Sequence, residues 1–568
     1  MKRLFDEHIK RQVTFLDGAW NFITDRENIG EENNYPNGLN NTKTVIVPSV
    51  WNNQLDLFTY EGVCWYQKDF YFEGNAHLVF EGVMTECKVW LDGEYLGYHY
   101  GGFCQFDFIV PNLKAGIHKL VLKVDNSFNN ESIPQKVVDW YHYGGITRSV
   151  SVEKLNGVAI THAKFDYKLS KDRKSAEIFF TVELYCADKK NETEFSITLD
   201  GEKIYSQKIA LRKCSYKTLV TEKITVNNIK LWDTYNPYLY NVTFNTEHDD
   251  LIDRIGFRTI EVKNRKLCLN GKNIELRGVN RHEDHPEFGM SVPEGIMVRD
   301  LDIIGEMECN AIRGSHYPNS RIFLDMMDER GILFWSEIPI WGSSFSEDAL
   351  GNKTILKRGL DMHKEMVKYY YNHPCIVFWG MHNDIRTNTN NAYIMSKHYY
   401  TYLKEHGGNR LVTYASDKPS TDICFEFCDI ISINQFIGWN YGTREDWKSF
   451  PEKFDVLRKE LGFEDKPVIM SAFGAAAAYG HHTFDDIKWT EEYQAQLLEI
   501  ALQTFHDCPY MVGAYIWQFC DTVSNKDITK IGTLNNKGLL SSFREPKLAY
   551  QSVKAKYIKF KEEVENNG

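Results

Sequence analysis

The polar residues that close a series of apolar runs are where this sequence could do chemistry. Arg281, His282 and Glu283 follow IELRGVN, His316 follows NAIRGS, and Glu337 lies in LFWSEI. Asn383 and Asp384 end IVFWGMHND, Asn434 and Gln435 follow DIISI, Ala472 follows PVIMS, and Trp517 lies in MVGAYIWQF. Carboxyls and imidazoles exchange protons near neutral pH, amides fix orientation, and an indole offers a flat apolar face. A single polar strand end usually only caps its strand, whereas a series on successive strands points to a shared site. His282, Glu283, Asp284 and His285 have the residue types of a metal centre. Their adjacent spacing is not the i, i+4 spacing of a helical HExxH, so hydrogen-bonding roles are expected, with no metal and no other cofactor.

The elements that must position these residues are legible from texture. The eight runs IELRGVN, NAIRGSH, LFWSEI, IVFWGMHND, LVTYASD, DIISIN, PVIMSAFG and MVGAYIWQF read as strands. Amphipathic stretches such as VRDLDIIGEME, SRIFLDMMDERG and EEYQAQLLEIALQTFHD read as helices between them. Eight alternating units predict a (β/α)8 barrel over 263–568, in preference to a doubly wound open sheet. In such barrels chemistry sits at the C-terminal strand ends, where the polar residues fall. Before the barrel, short aromatic-rich strands with turn punctuation (TVIVPSVW, VCWYQKDFYF, CKVWLDGEYLGYH) predict a β-sandwich over 1–154. Continued alternation in AEIFFTVELYC and YLYNVTFNT predicts a second sandwich of immunoglobulin-like size over 155–262.

Composition narrows the function classes. The 568 residues exceed one ordinary core, and the length alone suggests three or four domains. A net charge of −12, spread along the chain, argues against nucleic acid and anionic membranes as partners but leaves an anionic small substrate open. The 12 cysteines are scattered without a CxxC pair and read as reduced, mostly buried thiols. The N-terminal stretch MKRLFDEHIKRQVTFLDG has no apolar signal-like core and no later run is apolar enough to span a bilayer, so a cytoplasmic location is expected.

Three segments, GVNRHEDHPEFG, NAIRGSHYP and NHPCIVFWGMHND, resemble signatures of family 2 glycoside hydrolases. LDGAWNFITDREN, YGGITRSV, KPVIMSAFGAAAAYGHH and LNNKGLLSSFREPK are similar to its β-glucuronidase branch. The resemblance implies a jelly-roll β-sandwich, an immunoglobulin-like β-sandwich and a C-terminal (β/α)8 TIM barrel. It implies a retaining exo-β-glucuronidase-type hydrolase acting on a glucuronide or related glycoside, and a homo-oligomer. A β-galactosidase, another uronidase, or a non-catalytic carbohydrate-binding protein of the same fold remain alternatives.

The resemblance also assigns positions. The family's fourth strand ends in Asn-Glu, with the glutamate as acid/base. Here the pair is Asn383-Asp384, and aspartate sets its carboxyl back by about 1.5 Å. The family's seventh strand reads Ser/Thr-Glu-Tyr-Gly, with the glutamate as nucleophile. Here Ser471-Ala472-Phe473-Gly474 puts a methyl group in that place, so this chain is expected to be inactive or severely impaired. Substitution of a glutamate to trap substrate and natural loss both remain open, and Glu337 recruiting a water is a further route. Asn535 and Lys537 match the pair that holds the sugar carboxylate in the β-glucuronidases, though Asn-Asn-Lys-Gly alone reads as a surface turn. Asp139, His316 and Trp517 match family residues near the sugar, while Phe436 and Asn440 replace tyrosines of the branch. The stretch after the third strand, IPIWGSSFSEDALGNK, looks shorter than the loop that closes over small aglycones in some relatives, which implies an open mouth.

Overall fold

The computed structural model describes residues 2–188, 191–524 and 530–567. The first sandwich is built on two long antiparallel strands, Val63–Phe80 and Phe106–Asp125, paired from Val63↔Asp125 to Phe80↔Phe106. Period-two alternation sends Cys64, Tyr66, Phe70, Phe72, Leu78 and Phe80 into one apolar core. Trp65, Trp90 and Val121 form a second cluster. The second sandwich packs two four-stranded antiparallel sheets face to face. Its strand Ser175–Cys186 turns Ala176, Ile178, Phe180, Val182 and Leu184 inward against Phe195, Ile197, Val242 and Phe244.

The C-terminal part is a closed barrel of eight parallel strands: Leu276–Arg281, Ala311–Gly314, Leu333–Glu337, Ile376–Asn383, Leu411–Ser416, Ile431–Asn434, Val468–Phe473 and Met511–Ile516. All residues of these strands are buried, which is why they read as continuous apolar runs. The last strand closes on the first through Leu276↔Gly513. Helices α1 (Glu294–Glu306), α2 (Arg321–Arg330), α3 (Glu347–Leu350), α4 (Lys353–Tyr370), α5 (Asn390–His406), α6 (Phe450–Glu460), α7 (Glu491–His506) and α8 (Leu548–Asn567) surround it. Caps mark their starts: Asn352 accepts from Thr354 N at 2.7 Å ahead of α4. The expectation of a helix in every unit fails at the fifth. Residues 417–430 hold only a 3-10 turn at Phe425–Phe427, because Pro419 and the short connection leave no room for a full helix.

Ion pairs and buried arginines join the three parts. Arg3 bridges Asp253 of the second sandwich and Asp325 of the barrel, and Arg11 bridges Asp249 and Glu153 of the two sandwiches. Arg148, at the end of the first sandwich, donates to Glu283 at 2.8 Å. Among the described residues no helix is long and apolar enough to cross a membrane.

Candidate active site

The C-terminal ends of the barrel strands meet in one hydrogen-bonded network centred on Arg313 of the second strand. Its guanidinium holds both oxygens of Glu337, from the third strand, at 3.0 Å. It also donates to Asn383 Oδ1 of the fourth strand at 2.7 Å and to the Ser471 carbonyl of the seventh at 3.3 Å. The group lies over the Trp335 ring, 4.6 Å from its centroid. A charge this deep is tolerated only because each face of the guanidinium fork finds an acceptor or a ring.

Asp384 is held by the far side of this network. Asn434 Nδ2, from the sixth strand, donates to Asn383 Oδ1 at 3.0 Å and to Asp384 Oδ1 at 2.8 Å. Ser471 Oγ donates to Asn434 Oδ1 at 2.7 Å, which fixes the orientation of that amide. The backbone of Asp384 has φ of 52°, a left-handed conformation that aspartate accepts better than most side chains. Burial, reinforced by the neighbouring carboxylate of Asp417, pushes the Asp384 carboxyl up to about 7, against the pull of Arg313 and the Asn434 bond. A carboxyl titrating near neutrality suits a general acid.

The seventh strand brings no second carboxyl to this point. Ala472 pairs with Asn434 across the sixth and seventh strands, and its carbonyl accepts from Gln435 N at 2.9 Å. Ala472 is 2 % exposed and is followed by Phe473, Gly474 and three further buried alanines. Glu337 does not substitute for it. Its side chain has no exposed surface, one oxygen is shared by Arg313 and His316 Nδ1 (2.6 Å), and the other is held by Arg313. Burial pushes Glu337 up to about 7, opposed by Arg313, while burial and Arg313 hold His316 well below its ordinary value. His316 is thus neutral, with Nδ1 and Glu337 Oε1 sharing a hydrogen bond. Both Glu337 oxygens are engaged by Arg313 or His316, out of contact with solvent.

Aromatic rings wall the mouth. Trp517 stacks on His316 with centroids 5.1 Å apart and planes at 20°. Trp140, from the first sandwich, packs against His316 at 5.6 Å and against Trp341 at 5.5 Å. His282, kept neutral mainly by burial, meets Tyr317 OH at 3.2 Å through Nδ1, while its buried Nε2 has no hydrogen-bond partner among the described residues.

Beside this wall lies a cationic corner. Asn535 donates to Asp139 Oδ2 at 2.6 Å, and Lys530 forms an ion pair with the same carboxylate. The Lys537 carbonyl accepts from Gln518 N, next to Trp517, at 2.9 Å. The Lys537 ammonium stands 5.3 Å from the Phe436 ring centroid and has no hydrogen bond or ion pair with a described residue. Burial lowers its pKa; Asp139 opposes this and Lys530 adds to it. A partly buried ammonium in that state favours an incoming anion.

Asn383, Asp384, Ala472, His316 and Trp517 therefore share the barrel mouth, and Asp139, Asn535 and Lys537 share its adjoining corner. The sequence reading overlooked Arg313, Trp140, Trp341 and Lys530. A charged residue inside the apolar run NAIRGSH was the available signal for Arg313; the others lie in loops with no periodic signature. Two groupings of metal-ligand type, His8 with Asp249 and Asp250, and Asp325 with Asp328 and His373, lie at the domain junctions. Arg11 holds Asp249 and Arg3 holds Asp325, so both groupings are engaged as ion pairs.

Residues 260–562 match the model of the "Glycosyl hydrolases family 2, TIM barrel domain". Residues 13–156 match that family's sugar binding domain, and 158–258 match its central domain. A β-glucuronidase of Streptococcus agalactiae is 27 % identical over 96 % of both chains. A β-galacturonidase of Eisenbergiella tayi, solved with galacturonate bound, superposes with a TM-score of 0.91 at 31 % identity, covering 98 % of this chain and 99 % of that one. The Ruminococcus gnavus β-glucuronidase structure superposes with a TM-score of 0.87 at 26 % identity, covering 98 % and 99 %.

Proposed function

The chain belongs to glycosyl hydrolase family 2, and from that membership we propose that its barrel mouth binds the terminal β-linked hexuronic acid of a glycoside. The scaffold is that of a retaining exo-β-glucuronidase, disabled in this chain at the nucleophile position. The observation that carries the reading is the partly buried Lys537 ammonium, over the Phe436 ring and without an ion pair to any described residue, on a segment whose backbone is bonded to Gln518 next to Trp517. A neutral hexose would leave that charge unpaired, whereas a C6 carboxylate would satisfy it. The indole of Trp517 and the ring of His316 supply flat surfaces for the pyranose.

Retaining hydrolysis uses two carboxyls about 5–5.5 Å apart, one to protonate the leaving oxygen and one to attack the anomeric carbon. Asp384 has the titration range for the first task. Ala472 has no atom for the second, so the glycosyl ester cannot form. The protein as it stands would hold its sugar and protonate toward the leaving oxygen without completing the displacement.

The epimer at C4 is a second question. The Eisenbergiella tayi relative was solved with galacturonate, and Phe436 and Asn440 stand where the resemblance to the β-glucuronidase branch implies tyrosines. Lys537 and Asn535 would read the carboxylate common to both epimers. Calorimetric titration with methyl β-D-glucuronide, methyl β-D-galacturonide and methyl β-D-glucoside tests the reading. At least one uronide should bind about tenfold or more tighter than the glucoside, and Lys537→Gln should abolish that margin. Equal binding of the glucoside and both uronides would reject it.

A further inference from the structure

A groove of about 480 Å³ opens between the loops after the fifth and sixth barrel strands and helix α6. At one end it is lined by Asn434, whose amide is bonded to Asp384. The groove therefore begins one hydrogen bond away from the carboxyl that would meet the glycosidic oxygen. Phe436 and the half-exposed Tyr441 supply flat walls, with Phe454 and Leu457 of α6 behind them. The Tyr441 hydroxyl donates to Gln435 Oε1, which holds the ring in place. Lys453 lines the same groove, exposed and without an ion pair to any described residue. The acidic group there, Asp417, is paired with Lys418.

We propose that this groove receives the second residue of an oligosaccharide and favours an acidic sugar in that place. The inference rests on the reading of the mouth as a uronide site and adds the identity of the leaving group. The apolar face of a pyranose packs on an aromatic ring, and its carboxylate meets a free ammonium. A neutral aglycone would use the rings and leave Lys453 idle. A neutral disaccharide tail would do the same.

Calorimetric titration of the intact chain with three ligands separates the outcomes: a methyl β-hexuronide, a disaccharide of that uronic acid β-linked to a second uronic acid, and the same uronic acid β-linked to glucose. The di-acidic disaccharide should bind about tenfold tighter than the methyl uronide, with the glucose-terminated one in between. Lys453→Gln should bring the di-acidic ligand down to the level of the glucose-terminated one and leave methyl uronide binding unchanged. Tyr441→Ala should weaken both disaccharides and spare the methyl uronide. If the methyl uronide binds but the di-acidic disaccharide gains nothing over it, or if Lys453→Gln weakens all three ligands alike, the groove assignment fails while the uronide site stands. If no uronide binds, both fail together.

Discussion

Asn434 donates its side-chain amide to Asp384 at 2.8 Å, and that bond is oriented by the Ser471 hydroxyl of the neighbouring strand. A donor to a carboxyl favours the charged form. Asn434→Ala should therefore move the Asp384 titration upward from about 7, by roughly half to one pH unit. Carboxyl carbon NMR across pH 5–9 reads this directly. An unchanged midpoint would mean the amide does not hold the acid.

Restoring the missing carboxyl should restore chemistry. Ala472→Glu should raise turnover of an aryl hexuronide by about 10³-fold or more, since loss of a nucleophile removes most of the rate enhancement. In the Ala472 protein, azide should occupy the vacated space and attack from the face opposite the leaving group, so that an activated β-uronide yields the α-glycosyl azide. Failure of both routes in protein that still binds the sugar would show that the mouth is not arranged for displacement at the anomeric carbon.

Glu337 and Arg313 form a fully enclosed pair, so removing one charge strands the other. Glu337→Gln should lower unfolding free energy by about 3–5 kcal/mol. Denaturant melts at pH 8, where both groups are charged in the parent, provide the measurement. A loss under about 1 kcal/mol would contradict an enclosed pair.

His363 is buried behind the fourth strand, and burial lowers its pKa to about 3. In the unfolded chain it titrates near 6.5, so the unfolded state takes up the proton first as the pH falls. Its contribution to stability is intact above about 6.5 and is lost progressively as pH drops toward 3. Between pH 7 and 5 this amounts to about 2 kcal/mol. Other groups push both ways, Glu337 and Asp384 gaining protons in the same interval, so the comparison must be made against a variant. His363→Leu should show a pH 7 to 5 change in unfolding free energy about 2 kcal/mol less unfavourable than the parent. Parallel pH profiles would rule out a neutral buried imidazole.

How far the sequence carried this reading depends on the range of the interactions involved. LFWSE and VIMSAF are buried on both faces, so the apolar run and its polar end are local properties and all eight strands were legible. The absent fifth helix was also local, through Pro419, yet the alternation of the other units masked it. The bond between Asn535 and Asp139 spans 396 positions, and nothing periodic announces it. The commitment of both Glu337 oxygens was equally hidden, because an isolated acidic strand end looks the same whether free or gripped.

Trp140 and Asp139 belong to the first sandwich yet stand at the barrel mouth, where they touch Trp341 and Asn535. One jaw of the vice is thus mounted on a different body from the other. A sugar seated between them would act as a fastener across the joint, so occupied protein should resist prying apart by heat, force or protease at points where empty protein gives way. A barrel cut free of its sandwich would keep its strands and lose its grip.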